Sequence, residues 1–252
     1  MARRRTYFIS DVHLGASYIS DPRAHEGRVV AFLRSIEDDA AALYMLGDIL
    51  DYWFEYRNVV PRGYIRFFGQ LARMADAGVR IVWLTGNHDI WLFDYLRDEI
   101  GIEVISTPYI IRQIDGIEFY MAHGDVFADP PVSYRILRAI FHSRFCQKLY
   151  SGIHPRWTMP FAHGWSSHSR KGQSSPAKPK KLQQGSALLM QAAQRMSAEN
   201  PDLQYIVIGH YHIALDEAVG ENCRLVVLGN WIHKSTYAVF DGEHLELREW
   251  TE

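Results

Sequence analysis

Apolar runs that end in a glycine and a group of polar residues recur along this 252-residue chain. The run over 79–84 has the composition of a mostly buried strand, and after Thr85 it leads into Gly86-Asn87-His88-Asp89. A single Gly-Asn-His-Asp could equally form a turn that leads into a helix N-cap. The recurrence of the pattern at other strand ends is what favours a functional site.

Five further apolar runs predict strands that end in the same way. They cover 6–9, 42–46, 117–122, 205–208 and 224–228, and the polar residues after them include Asp11, His13, Asp48, Asp51, His123, Asp125, His210, His212 and Asn230. In extended backbone, Asp11-x-His13 and His210-x-His212 would each place both side chains on one face, because strand side chains have a period of two. A turn Asp beside an unrelated His is the alternative for an isolated pair.

The segments between the first strands have helical periodicity. Apolar residues recur at helical spacing over 26–36, and a second helix over 66–77 is expected to end at Gly78 in a left-handed cap. Strands that alternate with helices indicate an α/β fold with a parallel or mixed sheet. The carboxyl ends of such strands gather along one edge, where ligands bind.

The strand ends supply seven candidate metal ligands, namely Asp11, His13, Asp48, Asn87, His123, His210 and His212. Imidazole, carboxylate and amide donors suit Mn, Fe, Co and Zn ions. Seven donors exceed the need of one ion, but two ions about 3.5–4 Å apart that share Asp48 would use all of them. A structural zinc site would favour Cys and four donors. The sequence therefore predicts two divalent transition-metal ions.

Composition restricts the class of protein. The hydrophobic share of 48% and the charged share of 22% are ordinary for a globular protein, and the net charge of −2 excludes neither anionic nor neutral partners. The two cysteines, Cys146 and Cys223, are too few for a disulfide framework and fit a reducing compartment. The apolar stretch after the basic start is too short for an export signal, and none reaches the ~20 residues of a membrane span. We therefore expect a cytoplasmic protein.

Two stretches bear on the ligand. Seven aromatic residues lie within 52–68, where core packing is the default interpretation and a lipid- or base-binding wall is the alternative. Between Pro130 and Arg195 there are 11 basic residues and no acidic ones, which marks a surface that faces an anion. Apolar residues over 132–149 recur at helical spacing, so a basic amphipathic helix is expected there. A core-packed helix with a solvated basic face is the plainer interpretation.

At its polar motifs the chain resembles the calcineurin-like metallophosphoesterases. The residues that carry the resemblance are Asp11-x-His13, Gly47-Asp48-x-x-Asp51, Gly86-Asn87-His88-Asp89, His123 and Gly209-His210-x-His212. The resemblance implies an α/β fold, a four-layer αββα sandwich of two mixed sheets with helices outside. The charge and periodicity of the middle segment add a helical basic cap insertion to this expectation. It implies two sets of metal ligands that share Asp48, with Asp11, His13 and His212 in one and Asn87, His123 and His210 in the other. It also implies that His88 is the catalytic residue, lying against the scissile phosphate.

Within this family, the segments 47–53, 55–63, 123–125 and 154–157 are similar to the UDP-2,3-diacylglucosamine pyrophosphatases of lipid A synthesis. Two positions depart from the best-known members: His88 stands where those carry Arg, and Ile213-Ala214 stands where those tend to have Arg-Pro. The implied reaction is hydrolysis of the diphosphate to UMP and 2,3-diacylglucosamine 1-phosphate by a water that two metal ions activate, with Mn²⁺ expected.

The motifs and the composition of the basic middle segment together indicate where the substrate binds and where the protein lies. We expect Asn87, His88, Arg170, Lys171 and His210 to bind the substrate, a lipid-linked nucleotide. The expected domains are a core over 1–126 and 201–252 and a cap over 127–200. Peripheral contact with the cytoplasmic face of the inner membrane is expected, with no obligate protein partner and no nucleic-acid ligand.

Two other functions are open at this point. Another dimetal reaction on the same scaffold, by a nuclease, cyclic-nucleotide phosphodiesterase or protein phosphatase, would keep the metal ligands, and a nuclease would use the basic segment to follow a phosphate backbone. The interleaved apolar residues fit that alternative less well, although base stacking could use some of the aromatic ones. A non-catalytic binding module would be expected to have lost ligands, and none is missing here.

Overall fold

A computed structural model describes residues 4–158 and 179–251, without the side chains of 179–185, and shows two mixed β-sheets with helices on their outer faces. In chain order the elements are β1 (Arg5–Ile9), α1 (Pro22–Ile36), β2 (Ala40–Leu46), α2 (Ile65–Asp76), β3 (Arg80–Leu84), α3 (Tyr95–Ile100), β4 (Glu103–Ile105), β5 (Tyr109–Ile114), β6 (Ile117–Ala122), α4 (Val132–His142), α5 (Arg144–Ser151), α6 (Pro179–Glu199), β7 (Leu203–Ile208), β8 (Ala214–Val219), β9 (Cys223–Leu228), β10 (Thr236–Phe240) and β11 (Leu245–Glu249). The six strands that the sequence predicts are all present, and each begins within two residues of its predicted start and ends at the predicted residue.

The first sheet has the strand order β11-β10-β1-β2-β3-β4, and the second has the order β5-β6-β7-β9-β8. Strands β1 to β4 are mutually parallel, whereas β10 and β11 join antiparallel at one side. In the second sheet β6, β7 and β9 are parallel, and β5 and β8 pair antiparallel at the edges. The parallel strands of each sheet therefore end on the same side, which gathers the loops that follow them.

The two sheets pack face to face, and each has helices on its other face. Phe8 of β1 lies in the core between the sheets with Phe119 of β6, whereas its neighbours Tyr7 and Ile9 lie in the core that contains Phe32 of α1. This alternation follows from the period of two along a strand. On the second sheet, α6 adds Leu189 and Ala193 to a third core. The four-layer αββα prediction is confirmed, and the proposed boundaries of core and cap stay a prediction.

Helix starts and ends follow local signals. The Asp21 side chain accepts a hydrogen bond from Ala24 N at 2.9 Å and Pro22 occupies the first turn, so α1 begins four residues before the predicted 26–36. Helix α2 lies within one residue of the prediction at each end, and Gly78 has the expected positive φ of 87°.

The segment predicted as one amphipathic helix over 132–149 is two helices. Ser143 has extended backbone, with φ −68° and ψ 119°, and its side chain accepts from Cys146 N at the start of α5. The periodicity of apolar residues carries no sign of this break, because the stripe continues across it. Within 4–158 and 179–251, none of the helices combines the length and apolar character that a membrane span needs.

The aromatic stretch 52–68 packs in the core and under the cap helices. Trp53, Phe54 and Phe67 are almost fully buried. The ring of Phe54 lies 4.8 Å from that of Tyr150 on α5. The core-packing interpretation is therefore confirmed for these residues, and the cluster fixes α5 on the core.

Candidate metal centre

The loops that follow β1, β2, β3, β6 and β7 meet at one edge of the sandwich. Backbone hydrogen bonds join them in pairs, from Asp11 N to Gly47 O at 3.1 Å and from His13 N to Asp48 O at 2.9 Å. A third bond, from Gly209 N to His123 O at 2.8 Å, joins the loops of the second sheet. All seven predicted ligands are brought to this edge by these loops.

Five of the seven candidate ligands have left-handed backbone. The φ angles are 54° at Asp11, 52° at His13, 53° at Asp48, 68° at His210 and 56° at His212. Non-glycine residues rarely adopt this conformation, and where it persists the surrounding structure holds it in place, often at functional sites. The expectation of extended backbone at Asp11-x-His13 and His210-x-His212 is wrong, because both pairs lie in turns beyond their strands. The two side chains of each pair reach the site through these turns.

Two glycines permit the loops to approach each other. A Cβ on Gly86 would lie 2.3 Å from Asp48 Oδ1, and one on Gly209 would lie 2.5 Å from Asp11 Oδ2. Any side chain at either position would therefore displace a candidate ligand, which explains why glycine precedes Asn87 and His210.

The first ligand group consists of Asp11, His13 and His212. Asp11 Oδ2 accepts hydrogen bonds from Ser10 Oγ and His210 N, both at 2.7 Å. The other oxygen, Oδ1, is buried without a well-aligned hydrogen bond and lies 3.1 Å from His212 Nε2 and 3.8 Å from His13 Nε2. Burial opposes ionisation of Asp11, but the two imidazoles outweigh it and hold the pKa below its ordinary value. A buried, ionised oxygen facing two imidazoles fits a bound cation.

The second group consists of Asp48, His123 and His210, beside Asn87. His123 Nδ1 donates to Leu46 O at 2.9 Å, so that Nε2 points at Asn87 Oδ1 at 3.1 Å and at His210 Nδ1 at 3.2 Å. A ring that donates its other N–H to a backbone carbonyl is oriented as metal-binding imidazoles usually are. Burial lowers the pKa of His210 to about 4, so this ring is neutral and can act as a ligand.

Asp48 lies between the two groups. Its Oδ2 is 3.7 Å from His13 Nε2 in the first group and 3.5 Å from His123 Nε2 in the second. Burial opposes ionisation of Asp48, but the charges of His123 and His88 hold the pKa of its carboxyl well below the ordinary range. The position is that of a carboxylate able to bridge two cations.

His88 lies at the open side of this site. Its Nδ1 is 3.0 Å from Asp51 O and 3.5 Å from Asp51 Oδ1, and its Nε2 is 4.0 Å from Asp48 Oδ2. The side chain is 16% exposed, whereas those of Asp48 and Asp51 are at most 3% exposed. Solvent or a substrate therefore reaches His88 more readily than the carboxylates beneath it.

Two carboxylates of the site are absent from the predicted site residues. Asp51 Oδ1 lies 3.3 Å from His13 Nδ1 and 3.5 Å from His88 Nδ1, so this carboxylate is next to both rings. Asp89 accepts from Gly86 N at 2.7 Å, from Ile49 N at 2.9 Å and from Trp83 Nε1 at 3.1 Å, which joins the loops after β2 and β3. Burial and the charge of Asp48 raise the pKa of Asp89. The sequence did carry a signal for Asp51 and Asp89, because they lie within the motifs Gly47-Asp48-x-x-Asp51 and Asn87-His88-Asp89.

The predicted substrate-binding residues divide into two sets. Asn87 and His210 each lie next to His123, and His88 lies 4.0 Å from Asp48, so all three are at this site. Arg170 and Lys171 lie outside the described residues. The donor set of the site supports divalent metal ions, and the role of each residue stays a prediction.

The chain is similar to several known proteins. Residues 4–214 match the family described as Calcineurin-like phosphoesterase. A protein from Porphyromonas gingivalis named UDP-2,3-diacylglucosamine hydrolase is 39% identical over 97% of this chain and 97% of its own length. One of the same name from Nitrosococcus oceani is 26% identical over 90% of this chain and 87% of its own. A solved phosphoesterase from E. coli has a TM-score of 0.44 at 16% identity, covering 96% of this chain and 90% of that one.

Proposed function

Since the chain belongs to the calcineurin-like phosphoesterase family and is a hydrolase, we propose that it hydrolyses the diphosphate of UDP-2,3-diacylglucosamine. Water adds to one phosphorus, the bridging P–O bond breaks, and the products are UMP and 2,3-diacylglucosamine 1-phosphate. The observation that supports this proposal most is the pair of ligand groups that share Asp48 beneath an accessible His88.

Two divalent ions, with Mn²⁺ expected, fit the two ligand groups. Asp11, His13 and His212 would hold one ion, Asn87, His123 and His210 would hold the other, and Asp48 would contact both. When bound, such ions supply Lewis acidity that makes water a better nucleophile and offsets phosphate charge. His88 holds an imidazole at the open side, where it can donate a proton or a hydrogen bond to the phosphate.

The lipid part of the substrate has a candidate surface on the cap. We define the apolar cap face as Val132, Ile136, Ile140, Phe145, Leu149, Ile153 and Trp157, all of which are exposed. So many exposed large apolar side chains on neighbouring elements are candidates for a binding surface, because leaving them in water is unfavourable. With the basic residues of the same segment, this face suits acyl chains and an anionic membrane surface. We therefore propose peripheral contact with the cytoplasmic face of the inner membrane.

The competing function is a nuclease, which the 11 basic residues between Pro130 and Arg195 would serve. Turnover of UDP-2,3-diacylglucosamine, bis-p-nitrophenyl phosphate and single-stranded DNA, each with Mn²⁺, separates the two. The proposal expects the lipid nucleotide to have the highest kcat/KM. Efficient cleavage of DNA with no turnover of the lipid nucleotide would replace it with the nuclease.

A further inference from the structure

Helix α4 exposes an apolar stripe and covers polar side chains, which lie on its covered side together with Leu137 and Phe141. Val132, Ile136 and Ile140 recur every four residues and are 68%, 57% and 46% exposed. Tyr134, Arg138 and His142 have the same spacing and are all partly covered. A surface helix ordinarily turns its apolar stripe inward. The inward polar face of α4 is therefore a feature that packing alone does not explain.

The inward face is joined to the metal centre by one carboxylate. Asp125 Oδ2 accepts a hydrogen bond from Tyr134 Oη at 2.9 Å and another from Arg138 Nε at 3.0 Å. Asp125 follows β6 two residues after His123, and its side chain is 6% exposed. Buried ion pairs often add little stability compared with apolar packing, because desolvation of both charges opposes their attraction. Stability alone therefore does not explain the pairing of Asp125 with Arg138, and a functional role is considered.

Arg138 retains unused hydrogen-bond donors. Only its Nε is bonded, to Asp125, and among the described residues no acceptor bonds its two terminal nitrogens. The side chain is 23% exposed, so it is not fully enclosed by the protein. Burial and the nearby charge of Arg138 both lower the pKa of His142, one turn further along α4. The guanidinium is thus a cation held on Asp125, two residues after the candidate ligand His123, with donors left for a ligand.

We propose that Arg138 is a further substrate-contacting residue, held by Asp125 through Nε so that its terminal nitrogens bind phosphate oxygens of the diphosphate. This deepens, and rests on, the proposed hydrolysis of a diphosphate at this site. Guanidinium donors match phosphate geometry, and their charge-assisted hydrogen bonds are stronger than neutral ones. A carboxylate that fixes the guanidinium beforehand reduces the entropy lost when substrate binds. Tyr134, on the same carboxylate oxygen, helps to hold Asp125 in place.

The chain offers a matched control for this role. Arg135 is on the same helix but is exposed, so Arg135→Met removes the same charge without removing the Asp125 tether. Arg138→Met removes the tethered guanidinium and keeps an unbranched side chain. Arg138→Lys keeps the charge but cannot bind Asp125 and a phosphate with the same fixed geometry.

The test uses orthophosphate as an inhibitor of bis-p-nitrophenyl phosphate hydrolysis by the Mn²⁺-loaded protein, with calorimetric binding of orthophosphate as a second measurement. We expect Arg138→Met to weaken the binding of orthophosphate about tenfold or more and Arg138→Lys to weaken it less. Arg135→Met should leave the affinity for orthophosphate unchanged. Metal content should be unchanged in all three variants. If Arg138→Met does not fold, the affinities of Arg138→Lys and Arg135→Met for orthophosphate are compared instead, and a weaker affinity in Arg138→Lys supports the contact.

A contact with substrate and a purely structural tether give different results. Wild-type affinity for orthophosphate in Arg138→Met, with only a lowered melting temperature, would overturn the proposal. An equal loss of affinity for orthophosphate in Arg135→Met would also overturn the proposal, because the removal of any positive charge from α4 would then explain the result. The probes are not lipid nucleotides, so failure of wild type to hydrolyse UDP-2,3-diacylglucosamine would refute the proposed function separately.

Discussion

At the scale of single residues, Asp48 is the group on which a two-ion site depends. Its Oδ2 lies within 3.7 Å of imidazole nitrogens from both ligand groups, so removal of this carboxylate takes a donor from each. We expect wild type to hold two ions per chain and Asp48→Ala to hold neither tightly. Elemental analysis after gel filtration measures this directly.

Asp115→Ala is the control for Asp48→Ala. Asp115 has a φ of 51° against 53° for Asp48, so both substitutions place Ala in the same unfavourable backbone conformation. Asp115 lies in the turn between β5 and β6, away from the site. One tightly bound ion in wild type that persists in Asp48→Ala would contradict the shared carboxylate.

His88 is expected to act on the substrate and not on the metal. It lies 4.0 Å from Asp48 Oδ2, is oriented by Asp51, and is the more accessible group of the two. His88→Ala should therefore keep its metal content and lower kcat by about 10²–10⁴-fold, the usual range for a positioned acid or base. Steady-state kinetics checks this, with the exposed His244→Ala as control. Full turnover by His88→Ala would make the assignment wrong.

The candidate ligands could be selected from the sequence, but their geometry could not be predicted. Glycine and polar residues after apolar runs were sufficient to select seven side chains that the fold brings together. The left-handed backbone at Asp11 and His210 depends on hydrogen bonds between loops that are distant in sequence. The role of Asp89 as the acceptor between two loops depends on the same long-range contacts.

At the scale of elements, α1 supports the first ligand loop through a buried histidine. His25 Nε2 donates to Val12 O at 2.8 Å, between the two ligands Asp11 and His13. His25→Phe would keep a ring of similar size and leave this carbonyl without its donor. We expect the free energy of unfolding of the metal-free protein to fall by about 1–3 kcal/mol, measured in urea at pH 7.5.

The same residue gives a pH dependence of defined sign. Burial lowers the pKa of His25, so the folded protein favours the neutral ring, whereas the unfolded chain protonates it near the ordinary value of about 6.5. The contribution of His25 to the free energy of unfolding is complete above that pH. It is lost as the pH falls toward the lower pKa that His25 has in the folded protein. Between pH 7.5 and 5.5, wild type should therefore lose more stability than His25→Phe. An equal loss in both proteins would contradict this role.

The cap helices make a prediction about the acyl chains. If the apolar cap face binds them, each buried CH₂ contributes about 0.8 kcal/mol, and two more carbons should raise kcat/KM around tenfold until the surface is filled. Trp157, at 71% exposed, is available for this contact, so Trp157→Ala should reduce the dependence on chain length. Ile65→Ala, at an 81% exposed position on α2, is the control. An unchanged dependence in Trp157→Ala would remove this residue from the lipid site.

Phe141 belongs to the same apolar segment as the cap face, but its surroundings differ. Its ring lies 5.5 Å from that of Trp91, and its carbonyl accepts from Trp91 Nε1 at 3.0 Å. Replacing Phe141 would therefore disturb the packing of α4 on Trp91 as well as any contact with lipid. Periodicity identified the apolar residues of this segment, but the break at Ser143 and the outward direction of the stripe depend on packing against the core.

At the scale of the whole molecule, the predicted architecture was right because the strongest local signals belong to the central strands. The runs that became β1, β2, β3, β6, β7 and β9 are apolar on both faces, as strands between two layers must be. Edge strands such as β5 alternate between exposed and partly covered residues. The place of β10 beside β1 joins segments more than 220 residues apart, which no local pattern indicates.

The sandwich brings ligands from both sheets to one edge, so the chemistry proposed for the molecule is tested by where the water oxygen goes. Metal-loaded protein is incubated with UDP-2,3-diacylglucosamine in ¹⁸O-labelled water, and the masses of both products are measured by mass spectrometry. Asp48→Ala is the inactive control. We predict UMP and 2,3-diacylglucosamine 1-phosphate, with one ¹⁸O in a phosphate of one of them. Release of UDP with ¹⁸O on the sugar would show attack at carbon, and would contradict hydrolysis of the diphosphate at this site.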